Sequence, residues 1–92
     1  MKKITYFYLE ACPYCKQARR WMDELLLQNP EYNALEIVQI EERKHPEIAN
    51  KFDYYYVPTY YVDDVKVHEG AASREKIEMV FHMASQPAVA VG

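Results

Sequence analysis

No stretch of this chain approaches the roughly 18 to 20 consecutive apolar residues that a helix needs to cross a bilayer, so no membrane span is expected. A clustered basic footprint is missing as well. Eleven Lys and Arg stand against 14 Asp and Glu, a formal net charge of −3, whereas a nucleic-acid partner normally leaves a concentrated positive face. There are no internal repeats, linkers or low-complexity tracts. With 92 residues, half of them apolar, the chain can bury one modest core and has no room for a second. One domain is expected over residues 1–86, followed by a loosely held tail, 87–92, that lacks charge and helical spacing. The opening MKKITYFYLEAC has two lysines, but its apolar run is short and broken by Thr5, Glu10 and tyrosines. It is therefore read as mature protein, and the expected setting is the cytoplasm, as a monomer.

Cysteine is equally sparse: Cys12 and Cys15, inside EACPYCK, are the whole supply. In a reducing compartment such a pair is more often catalytic or metal-binding than structural. A structural disulfide here would close a very short loop and remove far less unfolded-chain entropy than the roughly 3 kcal/mol assigned to a loop of about 15 residues. A zinc site wants two more ligands, and His45, His68 and His82 have no paired spacing. A redox pair needs only the two sulfurs, and that reading carries the most weight.

Patterning places the pair in a fold. Lys3 to Leu9 is rich in β-branched and aromatic residues and nearly uncharged, which suits a strand buried on both faces. Ala18, Met22, Leu25 and Leu26 recur at helical spacing opposite a polar face, predicting a helix from Pro13 to Gln28, ended by Asn29-Pro30. ALEIVQIEE reads as a second strand, parallel to the first because a helix separates them. HPEIANKF offers Pro46 at a first turn and the pair Ile48 and Phe52, enough for two turns of helix. Thr59 to Val62 and Val65 to Glu69 predict an antiparallel hairpin; Asp63-Asp64 is a weaker turn signal than Asp-Gly, so the loop could exceed two residues. Ser73 caps a last helix with Ile77, Val80, Phe81 and Ala84 as its apolar stripe. The order is β-α-β-α-β-β-α, an α/β fold.

At the cap of the first helix, the Cys12 sulfur would face unpaired amides whose partial positive charge favours thiolate. Cys12 is thus the candidate nucleophile. Cys15, three residues on over the same face, is the candidate resolving thiol. Lys16, Arg19 and Arg20 crowd a helix start that disfavours cations. They either tune the thiolate and attract an anionic substrate or form a solvated face with Asp23 and Glu24. Pro58 stands where a strand begins. If Val57-Pro58 is cis, the amide and carbonyl of Val57 turn out of the sheet to pair with an extended peptide; if trans, it is an ordinary proline at the start of a strand. The rings of Tyr54, Tyr55, Tyr56, Tyr60 and Tyr61 are read as half-buried sheet residues, or, for Tyr54 or Tyr56 with Tyr14, as a stacking surface for substrate.

With CPYC on the first helix, VPT opening the third strand and this element order, residues 3 to 84 resemble the thioredoxin superfamily, and CPYC resembles the dithiol glutaredoxins. The resemblance implies a four-stranded mixed sheet flanked by three helices, attack by Cys12, resolution by Cys15 and a cis Pro58. It implies a thiol-disulfide oxidoreductase acting on protein or small-molecule disulfides, with no bound cofactor and with glutathione or a reductase-type dithiol partner as reductant. Pro13, Tyr14, Tyr56, Val57, Gly70 and Ala71 would line the substrate groove. The chain departs from glutaredoxins at Leu9, where a basic residue is usual, and at Gly70-Ala71-Ala72-Ser73, where a second glycine and an Asp are usual. It departs from thioredoxins at Tyr6, where a buried Asp is usual. Two rivals share the fold: a dimer holding an iron-sulfur cluster between two Cys12 thiolates, and an adaptor that has lost the chemistry.

Overall fold

The computed structural model of the protein describes residues 2–86. Lys3 and five apolar or hydroxyl-bearing residues make β1, Lys3–Tyr8, the central strand, with Ile4, Tyr6 and Phe7 each at most 1% exposed. After it come α1, Pro13–Gln28; β2, Glu36–Glu41; α2, Pro46–Ala49; β3, Thr59–Val62; β4, Val65–Glu69; and α3, Arg74–Ser85. The sheet order is β2-β1-β3-β4, with β1 parallel to β2 and antiparallel to β3. This is the expected four-stranded mixed sheet with three helices. The expected tail, 87–92, lies outside the described residues.

The period of two along β1 divides the core. Ile4 and Tyr6 pack with Tyr60 and Val62 beneath the apolar stripes of α1 and α3, including Met22, Leu25, Ile77 and Phe81. Phe7 points the other way, toward Ile40, Ala49 and Tyr61, with Phe52, Tyr54 and Val57 against that cluster. The sheet therefore carries α1 and α3 on one face and α2 with the segment after it on the other.

The helix boundaries follow local signals. Pro13 occupies the first position of α1, where a missing N–H costs nothing. Asn29 closes it, its backbone N–H and side-chain amide both donating to the Leu25 carbonyl. Pro30 then opens a 3-10 turn over Pro30–Ala34 that places Tyr32 against Phe81. Ser73 caps α3 by accepting from the Lys76 N–H at 3.1 Å.

Three details differ from expectation. β1 ends at Tyr8 rather than Leu9. The second helix is a single α turn, because Lys51 and Phe52 donate to carbonyls three residues back and tighten the chain. That turn delivers Phe52 to the rings of Phe7 and Tyr61, at 4.7 and 4.9 Å between centroids. The hairpin loop is only Asp63 and Asp64. Asp63 adopts φ +52°, and both its N–H and its carboxylate bond to the backbone of Lys3 on the neighbouring strand, which supports a left-handed residue without glycine. A bulge between Tyr60 and Tyr61 shifts the β3–β4 register.

Candidate active site

The strand ends converge where chemistry is expected. β1 runs out toward Cys12, and because Phe7 pairs with Thr59 in the antiparallel register, Pro58 lies at the same end of the sheet. Cys12 is the N-cap of α1, with extended backbone (φ −78°, ψ 117°), and its Sγ accepts the Cys15 N–H at 3.2 Å. A sulfur at a helix start thus receives one of the amides that have no partner within the helix. Cys12 is partly exposed and Cys15 is 2% exposed; both are free thiols. Burial, with the hydrogen bond to the Cys12 sulfur, pushes the Cys15 thiol up to about 12. Of the two sulfurs, that of Cys12 is the more accessible, and the buried Cys15 thiol holds its proton more tightly.

Tyr6 reaches the same place from β1. Its hydroxyl donates to the Cys15 carbonyl at 2.9 Å, and burial raises it well above the ordinary phenol range. A neutral phenol thus braces the first turn of α1. Tyr60 stacks on Tyr6, 5.0 Å between centroids, yet its buried hydroxyl has no hydrogen-bond partner among the described residues.

The segment around Pro58 is held by contacts that the sequence did not reveal. Val57-Pro58 is cis. Glu69 on β4 accepts the N–H groups of Tyr55 and Tyr56 at 2.5 and 2.9 Å and the Lys66 ammonium at 2.7 Å. Together these donors lower its carboxyl to about 2. Buried Thr59 donates its hydroxyl to the Tyr56 carbonyl, and the Gly70 N–H donates to the Pro58 carbonyl at 2.9 Å. Gly70 sits at φ +90°, a conformation that side chains disfavour. His68 Nε2 lies 3.0 Å from the Gly70 carbonyl and 3.1 Å from that of Ala71. Among the described residues the amide and carbonyl of Val57 take no partner.

Of the other expected site residues, Tyr14 and Tyr56 are 63% and 70% exposed, and Pro13 and Ala71 are also exposed. Lys16 and Arg19 line a cleft of about 300 Å³ with Tyr6, Tyr8 and Cys15, so they flank the buried thiol. No ion pair engages Lys16, Arg19 or Arg20 among the described residues; Glu24 instead meets Arg74 at 3.6 Å. Tyr54, half-buried, donates to Glu42 at 2.8 Å and stacks on Phe7, which makes it a packing residue.

Sequence reading also missed Glu41. It is 6% exposed at the end of β2 and accepts the N–H groups of Glu10, Arg43 and Lys44 at 3.1, 2.6 and 3.4 Å. The Glu10 amide leads, and the carboxyl is lowered from its ordinary value. One carboxylate thereby ties the loop before Cys12 to the loop after β2. Among the described residues no group of three or more His, Cys, Asp or Glu is arranged to hold a metal ion, and no helix is long and apolar enough to cross a membrane.

Comparison with known proteins agrees with this geometry. Oxidised thioredoxin from Plasmodium falciparum superposes with a TM-score of 0.71 at 17% identity, over 92% of this chain and 82% of that one. A thioredoxin-like protein from Clostridium perfringens gives 0.67 at 24% identity, over 92% and 71%. Reduced desulfothioredoxin from Desulfovibrio vulgaris Hildenborough gives 0.65 at 21%, over 89% and 80%. No curated protein matches the sequence significantly. A family model described as the thioredoxin domain matches residues 2–82, and with its strand order and its paired cysteines at the head of α1 the chain belongs to the thioredoxin domain family.

Proposed function

We propose that this protein reduces protein or small-molecule disulfides through a reversible Cys12–Cys15 disulfide. The observation that carries the reading is the accessible Cys12 sulfur capping α1, bonded to the amide of a buried second cysteine. The Cys12 thiolate attacks one substrate sulfur; the substrate S–S bond breaks and the other sulfur leaves as a thiolate. Cys15 then gives up its proton, which ends on the departing thiolate, and attacks the Cys12 sulfur. This releases the second substrate thiol and leaves the Cys12–Cys15 disulfide. Two electrons have passed to the substrate, and an external thiol reductant returns them. Deep burial keeps Cys15 protonated until the mixed disulfide is beside it.

Val57 supports the polypeptide side of the reading: its unpaired amide and carbonyl can accept an extended chain as an added strand. Tyr14, Tyr56 and Ala71 are exposed around that edge of the site. The proposed setting is the cytoplasm, where thiols are kept reduced.

The test is a pair of substitutions. C12S should abolish disulfide reduction, whereas C15S should accumulate mixed disulfides visible by intact mass. Equal, mild losses from both would contradict these roles. Oxidised protein offered separately to glutathione with its reductase and to a thioredoxin-reductase system should consume NADPH with one of them, which identifies the electron donor.

A further inference from the structure

A second cleft, of about 500 Å³, opens directly beside Cys12. Ala11 and Cys12 line it from the loop after β1, Glu41 from the end of β2, and Arg43 and Lys44 from the loop that follows. It shares Leu9 and Glu10 with the cleft that holds Lys16 and Arg19. Its acidic members are already engaged. Glu41 is buried with three amides on its oxygens, and Glu10 is paired with Lys44 at 2.9 Å. Arg43 differs: its N–H is fixed to Glu41 at 2.6 Å, while its exposed guanidinium has no ion pair among the described residues. In a chain of net charge −3, the cleft beside the accessible sulfur thus carries a guanidinium without an ion pair among the described residues, on an anchored backbone, with Lys16 and Arg19 in the adjoining cleft.

We infer that this cleft is a substrate subsite: it receives a carboxylate side chain next to the reacting cysteine of a polypeptide disulfide, and Arg43 is its partner. A planar guanidinium suits a carboxylate, with two parallel hydrogen bonds available. The choice of a polypeptide follows from Val57, whose free backbone groups call for an extended chain. The inference rests on the proposed disulfide chemistry for its substrate.

The test uses fully reduced protein freed of reductant and two peptides, each with one cysteine in mixed disulfide with thionitrobenzoate, flanked by Glu or by Gln. In single turnovers at low salt the Glu peptide should release chromophore about fivefold faster, the upper range for an exposed pair. That ratio should fall toward one in R43Q and in about 0.5 M salt, and below one in R43E. K51Q, at an exposed lysine outside both clefts, should keep the ratio. An unchanged ratio in R43E, or equal slowing of both peptides, would overturn the subsite. A response to R43E confined to glutathione disulfide would overturn the polypeptide assignment. If neither peptide reacts, the disulfide chemistry itself fails. Anisotropy with the same peptides carrying Ser for Cys then decides the subsite: preference for Glu lost in R43E supports it, and no preference refutes it.

Discussion

Tyr6 and Tyr60 present the same chemistry in two states of satisfaction. Both rings are at most 1% exposed and stack on one another, but only Tyr6 has found a partner for its hydroxyl, the Cys15 carbonyl. A buried hydrogen bond contributes about 1 kcal/mol, while a buried polar atom without a partner costs about 1 to 3 kcal/mol. Y6F should therefore lower stability by about 1 kcal/mol, and Y60F should leave it unchanged or raise it by about 1 kcal/mol, measured by urea unfolding with unchanged m-value. A loss in Y60F as large as in Y6F would show that the Tyr60 hydroxyl is engaged. Arg43 shows a similar contrast within one residue: its backbone N–H is held by Glu41, while its guanidinium has no ion pair among the described residues.

At the scale of elements, β4 works as a clamp on the segment that carries Val57 and Pro58. The clamp is Glu69, whose carboxyl is held near 2 by the Lys66 ammonium and by the amides of Tyr55 and Tyr56. Because the folded value lies below the ordinary 4.5, this contribution is fully present above that value and is lost as pH falls through it toward about 2. Hydrogen exchange at Tyr55 and Tyr56 should accordingly accelerate, relative to the core of β1, as pH is lowered through that window. E69Q should already exchange quickly and show no such dependence; identical pH behaviour in both proteins would exclude the clamp.

The same elements show what the chain declares by itself. α1 was legible to both boundaries and α3 to its start, because Pro13, Asn29-Pro30 and Ser73 act within one turn of where they stand. Cys12 and Cys15 were legible because their spacing is local, and Pro58 because proline at the start of a strand is conspicuous. Glu41 and Glu69 were not, since their partners lie 31 and 14 residues away and a charged residue at a strand end reads as solvated. The second turn expected after Pro46 was lost for a related reason: the distant rings of Phe7 and Tyr61 set where Phe52 must go.

For the whole molecule, β1 is the shared wall of both halves of the core, so damage on either face should be felt globally. Phe7 is the most deeply buried residue of the cluster on the α2 side, packed against Phe52, Tyr54 and Tyr61. F7A should cost about 3 to 5 kcal/mol, a large share of the roughly 5 to 15 kcal/mol that holds a domain together. Thermal unfolding should stay a single transition, shifted down by about 4 to 8 °C per kcal/mol. Retention of an intact α1–α3 half would instead reveal two independent units.

The turn after β4 has a spectroscopic corollary. Carbonyl oxygens can only accept, so a ring nitrogen flanked by those of Gly70 and Ala71 must itself carry a hydrogen, which selects the Nε2–H tautomer of the neutral His68 imidazole. A single nitrogen-15 resonance pattern from that ring therefore works as a built-in gauge, changing when the glycine corner beside the proline opens and staying still when it does not.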